Sequence, residues 1–164
     1  MKHHLLKYVK PVLVLLLAVL GLCVPLPAGS AEDRPVVLMI ARGAAPYDGE
    51  RSLKVAIDKE ANAIIDKLNG LGYIVEVASV DGKDIQAAGS TLKVDKKLAD
   101  VQVAHYVGVI IPCMTTIYVP QSAVKIVQDM HSRNLPVAAQ NGAVVVLDAA
   151  GVLKGRNYST GEDM

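Results

Sequence analysis

No phenylalanine and no tryptophan occur among the 164 residues, and six tyrosines are the only aromatic side chains. A core without the two bulkiest apolar residues has to be assembled from Val, Ile, Leu, Ala, Met and a few Tyr. Each buried large aliphatic side chain contributes about 1.5–3 kcal/mol, which suffices for one domain of this length. Cysteine is nearly absent as well. Cys23 falls in an N-terminal leader, so Cys113 is the only thiol left for the domain and an internal disulfide is excluded. Charge of one sign is also lacking, since 17 basic and 16 acidic residues leave a formal +1. Such a balance offers no basic face for nucleic acid, which is not an expected partner. His105 and His131 stand alone with no second histidine at ligand spacing, so neither a metal centre nor a cofactor is expected. His131 falls late in a helical stretch, where a helix C-terminus favours it. No repeat or low-complexity tract interrupts the chain.

What is present begins with an export pattern. Lys2, Lys7 and Lys10 form a basic head, residues 12–26 are almost wholly apolar, and Pro27-Ala28-Gly29-Ser30-Ala31 precede a polar Glu32-Asp33. This predicts a signal peptide over residues 1–31, cleavage after Ala31, and a domain over residues 32–164 that is exported to the periplasm or secreted. The rival reading is a retained membrane anchor, because roughly 20 apolar residues span a bilayer. Pro25 and Pro27 interrupt the run, so no stable anchor is expected after cleavage. A lipid-attached Cys23 fits less well, since the bulky Leu22 sits where such signals want a small residue. Removing a leader with three lysines and no acid moves the formal charge from +1 to −2.

Residues 36–41, Val-Val-Leu-Met-Ile-Ala, form a continuous apolar run that suits a strand covered on both faces of a parallel sheet. The loop 42–49 follows, at the carboxyl end where open α/β sheets bind ligands. Over residues 52–69 Leu53, Ile57, Ala61, Ile64, Ile65 and Leu68 recur at spacings of three and four, which predicts an amphipathic helix ended by Asn69-Gly70. Residues 73–79 predict a second strand of alternating pattern, with a turn at Asp81-Gly82. The polar stretch 86–102 predicts short edge strands or loop, with Leu92 and Val94 inward. Residues 107–111 predict a third strand ended by Pro112, residues 121–132 a helix burying Val124, Ile126, Val127 and Met130, and residues 136–139 a fourth strand. A tight turn at Gln140-Asn141-Gly142 leads into a helix over residues 142–150. This order of elements implies a flavodoxin-like, doubly wound, mostly parallel sheet in a three-layer α/β/α sandwich.

Three segments, clearest between residues 106 and 160, carry a resemblance to a known family. Val109-Ile110-Ile111-Pro112 is similar to a strand leading to Pro-Gly-Gly, Val137-Ala138-Ala139 to a strand before a nucleophile elbow, and Ala150-Gly151-Val152-Leu153-Lys154-Gly155-Arg156 to an Ala-Gly-Leu-Leu-Lys-Gly-Arg segment. Together they resemble the ThiJ/PfpI family of class I glutamine-amidotransferase-like domains. The resemblance implies that the family's Ala-Ile-Cys-His-Gly elbow falls on residues 139–143, with Asn141 in place of the nucleophilic cysteine and Gly142 in place of the histidine.

A family cysteine works as a thiolate at a helix N-terminus. An amide supplies no such nucleophile, so the usual covalent reaction is expected to be absent. Asn and Gly both tolerate positive φ, so the turn can persist without its catalytic purpose. The Pro-Gly-Gly equivalent reads Pro112-Cys113-Met114, and bulky side chains there could obstruct an oxyanion site. The expected product is a degenerate, non-catalytic domain that binds a small ligand or a protein through Cys113, Met114, Gln140, Asn141 and Gly142. The alternative is a hydrolase or glyoxalase-like enzyme using Cys113 as a relocated thiol, set against the commoner buried thiol packed as a small apolar residue. Asp48 and Glu50 are candidates for the carboxylate that the family sets against its thiol, or solvated loop acids. The sequence ends at Met164, where the family continues through closing strands and a helix. The face so exposed invites association, and a homodimer is a further expectation.

Overall fold

The computed structural model describes residues 34–42, 50–114 and 118–158. The predicted leader with Cys23, its cleavage point, Asp48 and most of the loop after the first strand lie outside these described residues, and of Glu50 only the backbone is described.

Strands β1 (Val36–Ile40), β2 (Ile74–Ser79), β5 (Lys96–Lys97), β6 (Gly108–Ile111) and β7 (Val137–Ala139) form one parallel sheet in the order β5-β2-β1-β6-β7. Between β2 and β5, strands β3 (Ile85–Ala87) and β4 (Ser90–Leu92) make an antiparallel hairpin of their own. The helices are α1 (Glu50–Val55), α2 (Asn62–Gly70), α3 (Gln121–Ser132) and α4 (Val144–Ala149).

The unbroken apolar run of β1 has the cause read from sequence. Side chains alternate across a strand, so a central strand covered on both faces can afford no polar position. Leu38 and Met39 are both fully buried, and they belong to different clusters. On one face Leu38, Ile40, Val109 and Ile111 meet Val124, Val127 and Met130 of α3 and Val146 and Leu147 of α4. On the other, Met39, Ala41 and Val77 meet Leu53, Ile57 and Ala61, with Leu92 from the hairpin. This is the three-layer α/β arrangement that the order of elements implies.

Three local readings change. The helix expected over residues 52–69 starts at Glu50 and is divided by a π-helical turn, Ala56–Ala61. A π turn closes i to i+5 bonds, and it sets Ala56 and Ala61, five residues apart, both in the interior beside Ile57. A purely 3.6-residue period leaves Ala56 out of the buried set. The helix end also shifts. Gly70 is still helical, and the left-handed residue that closes the helix is Gly72 at φ +90°, where the N–H groups of Gly72 and Tyr73 return to the carbonyls of Asn69 and Leu68 at 3.0 Å each. Finally, β2 does not alternate: Val77, Ala78 and Ser79 are buried in succession, because both faces are covered, Val77 by the cluster of Leu53 and Ile57 and Ala78 by that of Leu98, Val103 and Tyr106.

The polar stretch 86–102 resolves into the hairpin, β5 and two 3-10 turns, Leu98–Asp100 and Val103–His105. Ala88 and Gly89 both have positive φ, +45° and +83°, as a tight two-residue hairpin turn requires. The hairpin is clasped to the helical layer by Ser90, whose hydroxyl donates to Asp58 at 2.9 Å and accepts from Lys54 Nζ at 2.7 Å, while Lys54 also pairs with Asp58. Leu92 is buried as expected.

Candidate functional site

Chain direction fixes where a crevice opens. From β1 the chain crosses to β2 on one side, whereas from β6 it crosses through α3 to β7 on the other. Ligands in open α/β sheets bind at such a reversal, outside the carboxyl ends of the strands. Here the reversal lies between β1 and β6. The residues that emerge there are Arg42 after β1, Cys113 after β6 and, beside them, Asn141 after β7. Lateral register keeps them level: Met39 stands opposite Ile110, Ile110 opposite Ala138, and Gln140 N–H donates to the Ile111 carbonyl at 3.0 Å.

Asn141 adopts φ +47° and opens a short 3-10 turn, Asn141–Ala143, that runs into α4. The sharp turn therefore exists, with a residue type that tolerates the left-handed region at its apex. Gln140 and Asn141 are exposed, whereas Gly142 and Cys113 are half-buried. A Cβ built on Gly142 would lie 3.7 Å from Cys113 Sγ, so thiol and turn are in van der Waals reach of each other. A β-branched side chain at the apex tests the geometry. Asn141→Val is expected to cost about 1–2 kcal/mol, the penalty for forcing such a residue left-handed, and Asn141→Gly to be neutral or better by chemical denaturation.

Met114 also has a positive φ, +51°, and only 1% of its surface is exposed. Its side chain belongs to the second core cluster, with Leu53 and Ala41. The residue expected to crowd the crevice thus turns into the core beneath it. The backbone takes the conformation a glycine would hold there, and burial of a thioether offsets the strain.

Sequence reasoning placed Arg42 only as a loop residue, and the structure buries it at the carboxyl end of β1. It is 0% exposed. Nη1 donates to the Tyr118 carbonyl at 3.3 Å and Nη2 to the Cys113 carbonyl, which braces the end of β1 against the loop after β6. Nε is buried without a hydrogen-bond partner, and among the described residues no carboxylate pairs with the guanidinium. Desolvation holds its pKa below the usual arginine range, and the nearby Cys113 sulfur acts in the opposite sense. A buried guanidinium that meets no carboxylate among the described residues makes this edge of the sheet favourable for negative charge. The signal available in the sequence was its position, a basic residue just beyond an apolar strand; burial could not be read from it.

His105 and His131 are exposed and lie away from this edge, at the end of a 3-10 turn and in the last turn of α3. Among the described residues no three His, Cys, Asp or Glu side chains are grouped to hold a metal ion, and no helix is long and apolar enough to cross a membrane. A cavity of about 460 Å³ opens at the carboxyl end of β2, lined by Leu53, Ser79, Asp81, Lys83, Ile85 and Tyr118. Tyr118 is the residue whose carbonyl Arg42 holds, so the cavity adjoins the crevice.

A model of the DJ-1/PfpI family matches residues 53–164. Among solved structures, a ThiJ/PfpI domain protein from Brachyspira murdochii is 17% identical with a TM-score of 0.56, over 77% of this chain and 70% of that one. A two-domain protein of Anabaena variabilis, with DJ-1/ThiJ/PfpI-like and ferritin-like domains, is 17% identical with a TM-score of 0.53, over 71% of this chain and 32% of that one. The Rapid Encystment Protein 24 kDa of Francisella tularensis is 18% identical with a TM-score of 0.51, over 69% and 61%. At these identities the likeness shows the fold, and this chain spans less than two thirds of the latter two. No curated protein matches.

Proposed function

The chain belongs to the DJ-1/PfpI family, and from that premise we propose that it is an exported, non-catalytic member whose carboxyl-edge crevice binds a small ligand or a protein partner. The observation that carries the proposal is Asn141 at the apex of the turn, with φ +47°. The resemblance in residues 137–143 sets this position where the family has its cysteine. A carboxamide cannot attack and hold an acyl or carbonyl carbon as a thiolate does, so the scaffold keeps the turn without the chemistry. Arg42 supports the choice of ligand, because a buried cation that meets no carboxylate among the described residues favours an anionic group nearby. Export rests on the basic head, the apolar run and the small residues at 27–31, and Edman sequencing of the protein recovered from cells is expected to begin at Glu32.

A second reading, a hydrolase or glyoxalase-like enzyme using Cys113, is favoured by the closeness of its sulfur to Gly142 and by the adjoining guanidinium. One set of assays separates the two. With small aldehydes and esters, the natural protein and Cys113→Ala are both expected to show no turnover above the uncatalysed rate. The double variant Asn141→Cys, Gly142→His is expected to gain a thiol-dependent reaction. Turnover by the natural protein that Cys113→Ala abolishes would refute the first reading and establish the second.

A further inference from the structure

A second concavity lies at the opposite end of β7 from the crevice. It has a volume of about 350 Å³ and is framed by the last turn of α3, the amino end of β7, α4 and the turns that follow it. Its floor is aliphatic: Leu135, Val137, Leu147, Val152 and Leu153. The ionisable residues lining it are His131 and Arg156, with the amide of Asn134 between α3 and the strand, and none of its lining residues is an acid. Both basic side chains are exposed at the rim, and among the described residues neither makes a side-chain hydrogen bond or an ion pair.

The chain builds this shape for local reasons. Asn134, at φ +58°, ends α3 in the left-handed conformation, and the N–H of Leu135 returns to the Met130 carbonyl at 3.0 Å. That closure lifts Leu135 and Pro136 off the helix and delivers Val137 to the sheet edge. On the far side, Gly151 at φ +72° reverses the chain after α4 and brings Val152, Leu153 and Arg156 back across the opening. Volumes from about 300 Å³ upward are those of small-molecule sites, and such sites combine an apolar lining with a few convergent polar groups.

We propose that this concavity binds a small aliphatic monocarboxylate, its chain on the Leu135, Val137, Leu147, Val152 and Leu153 floor and its carboxylate between Arg156 and His131. Charge selects the ligand: two basic groups and an amide at the mouth meet no acid in the lining, so an apolar molecule with one anionic end satisfies both the floor and the rim. The three residues of β7 separate this site from the turn at Asn141 by roughly 10 Å, so it is independent of the crevice and of the function proposed for it.

The test uses octanoate, with octanol as the uncharged control, titrated into the purified protein and followed by methyl NMR. Octanoate is expected to give saturable shifts confined to the floor methyls. Arg156→Gln is expected to weaken it at least about tenfold, the loss of one charge-assisted hydrogen bond, with His131→Gln weaker by a smaller factor and Lys125→Gln, an exposed cation of α3 outside the lining, unchanged. Both lost side chains are exposed, so the variants fold. Absence of saturable binding, equal binding of octanol, shifts centred elsewhere, or natural affinity in Arg156→Gln would each overturn the proposal.

Discussion

Leu38→Ala is expected to lower the stability of the folded domain by about 2–5 kcal/mol, in the upper half of that range. Leu38 lies in the middle of β1, is 0% exposed, and has Glu76 on one neighbouring strand and Val109 on the other at its level in the sheet. Its side chain joins the face covered by α3 and α4, against Ile40, Val109, Ile111 and Val127. These neighbours are β-branched and stiff about χ1. No phenylalanine or tryptophan is there to swing into the space, and the ring of Tyr106 in the same cluster is held by its bond to Glu76. A cavity left there stays open, and the cost of truncation rises with the volume left unfilled. Val55→Ala serves as the comparison, since Val55 is half exposed on α1 and its truncation is expected to stay within about 0.5 kcal/mol. Urea unfolding of the two variants decides the matter. A loss below about 1 kcal/mol for Leu38→Ala would mean that β1 is not the centre of the core.

The contrast between those two residues also shows what could be read from the chain before its fold. Wherever burial is dictated by periodicity alone, the pattern was sufficient. The run at 36–41 and the spacing of Val124, Ile126, Val127 and Met130 located β1 and α3. Where a tertiary neighbour decides, it was not. The π-helical turn at residues 56–61 depends on how Ala56 and Ala61 meet the sheet, and the missing alternation of β2 depends on Leu98, Val103 and Tyr106 covering its second face. At the site the same division holds. The turn at Asn141 was legible because a left-handed apex selects Asn or Gly, a local property of the backbone. Arg42 was not, because charged side chains are almost never fully buried, and only the assembled strands create the two carbonyls that hold it. Met114 lies between these cases: its bulk was visible, but its direction was set by the positive φ that turns it under α1.

Alkaline solution is expected to unfold the protein by way of Tyr106. This tyrosine lies in the core and is 3% exposed. Its hydroxyl donates to one carboxylate oxygen of Glu76, whose other oxygen takes Lys96 at 2.6 Å, with the ammonium 5.9 Å from the centre of the tyrosine ring. Burial, and then the bond to Glu76, push the phenol from its ordinary value near 10 up to about 12. In the unfolded chain the same phenol ionises near 10. Between those values the unfolded state releases a proton that the folded state retains, so stability is complete below pH 10 and falls as pH rises towards 12. A displacement of that size corresponds to roughly 2–3 kcal/mol. Lys96 adds a slope of the same sign, because its bond to Glu76 raises its pKa in the fold. Tyr106→Phe separates the two contributions. At neutral pH it removes a hydrogen bond to a carboxylate and is expected to cost about 1.5–3 kcal/mol, nearer the lower figure because Lys96 still satisfies Glu76. Above pH 10 it is expected to lose the tyrosine share of the slope, so that the two proteins converge in stability as pH approaches 12. Parallel curves for Tyr106→Phe and the natural protein over that interval, measured by urea unfolding, would show that the phenol is not the group being titrated.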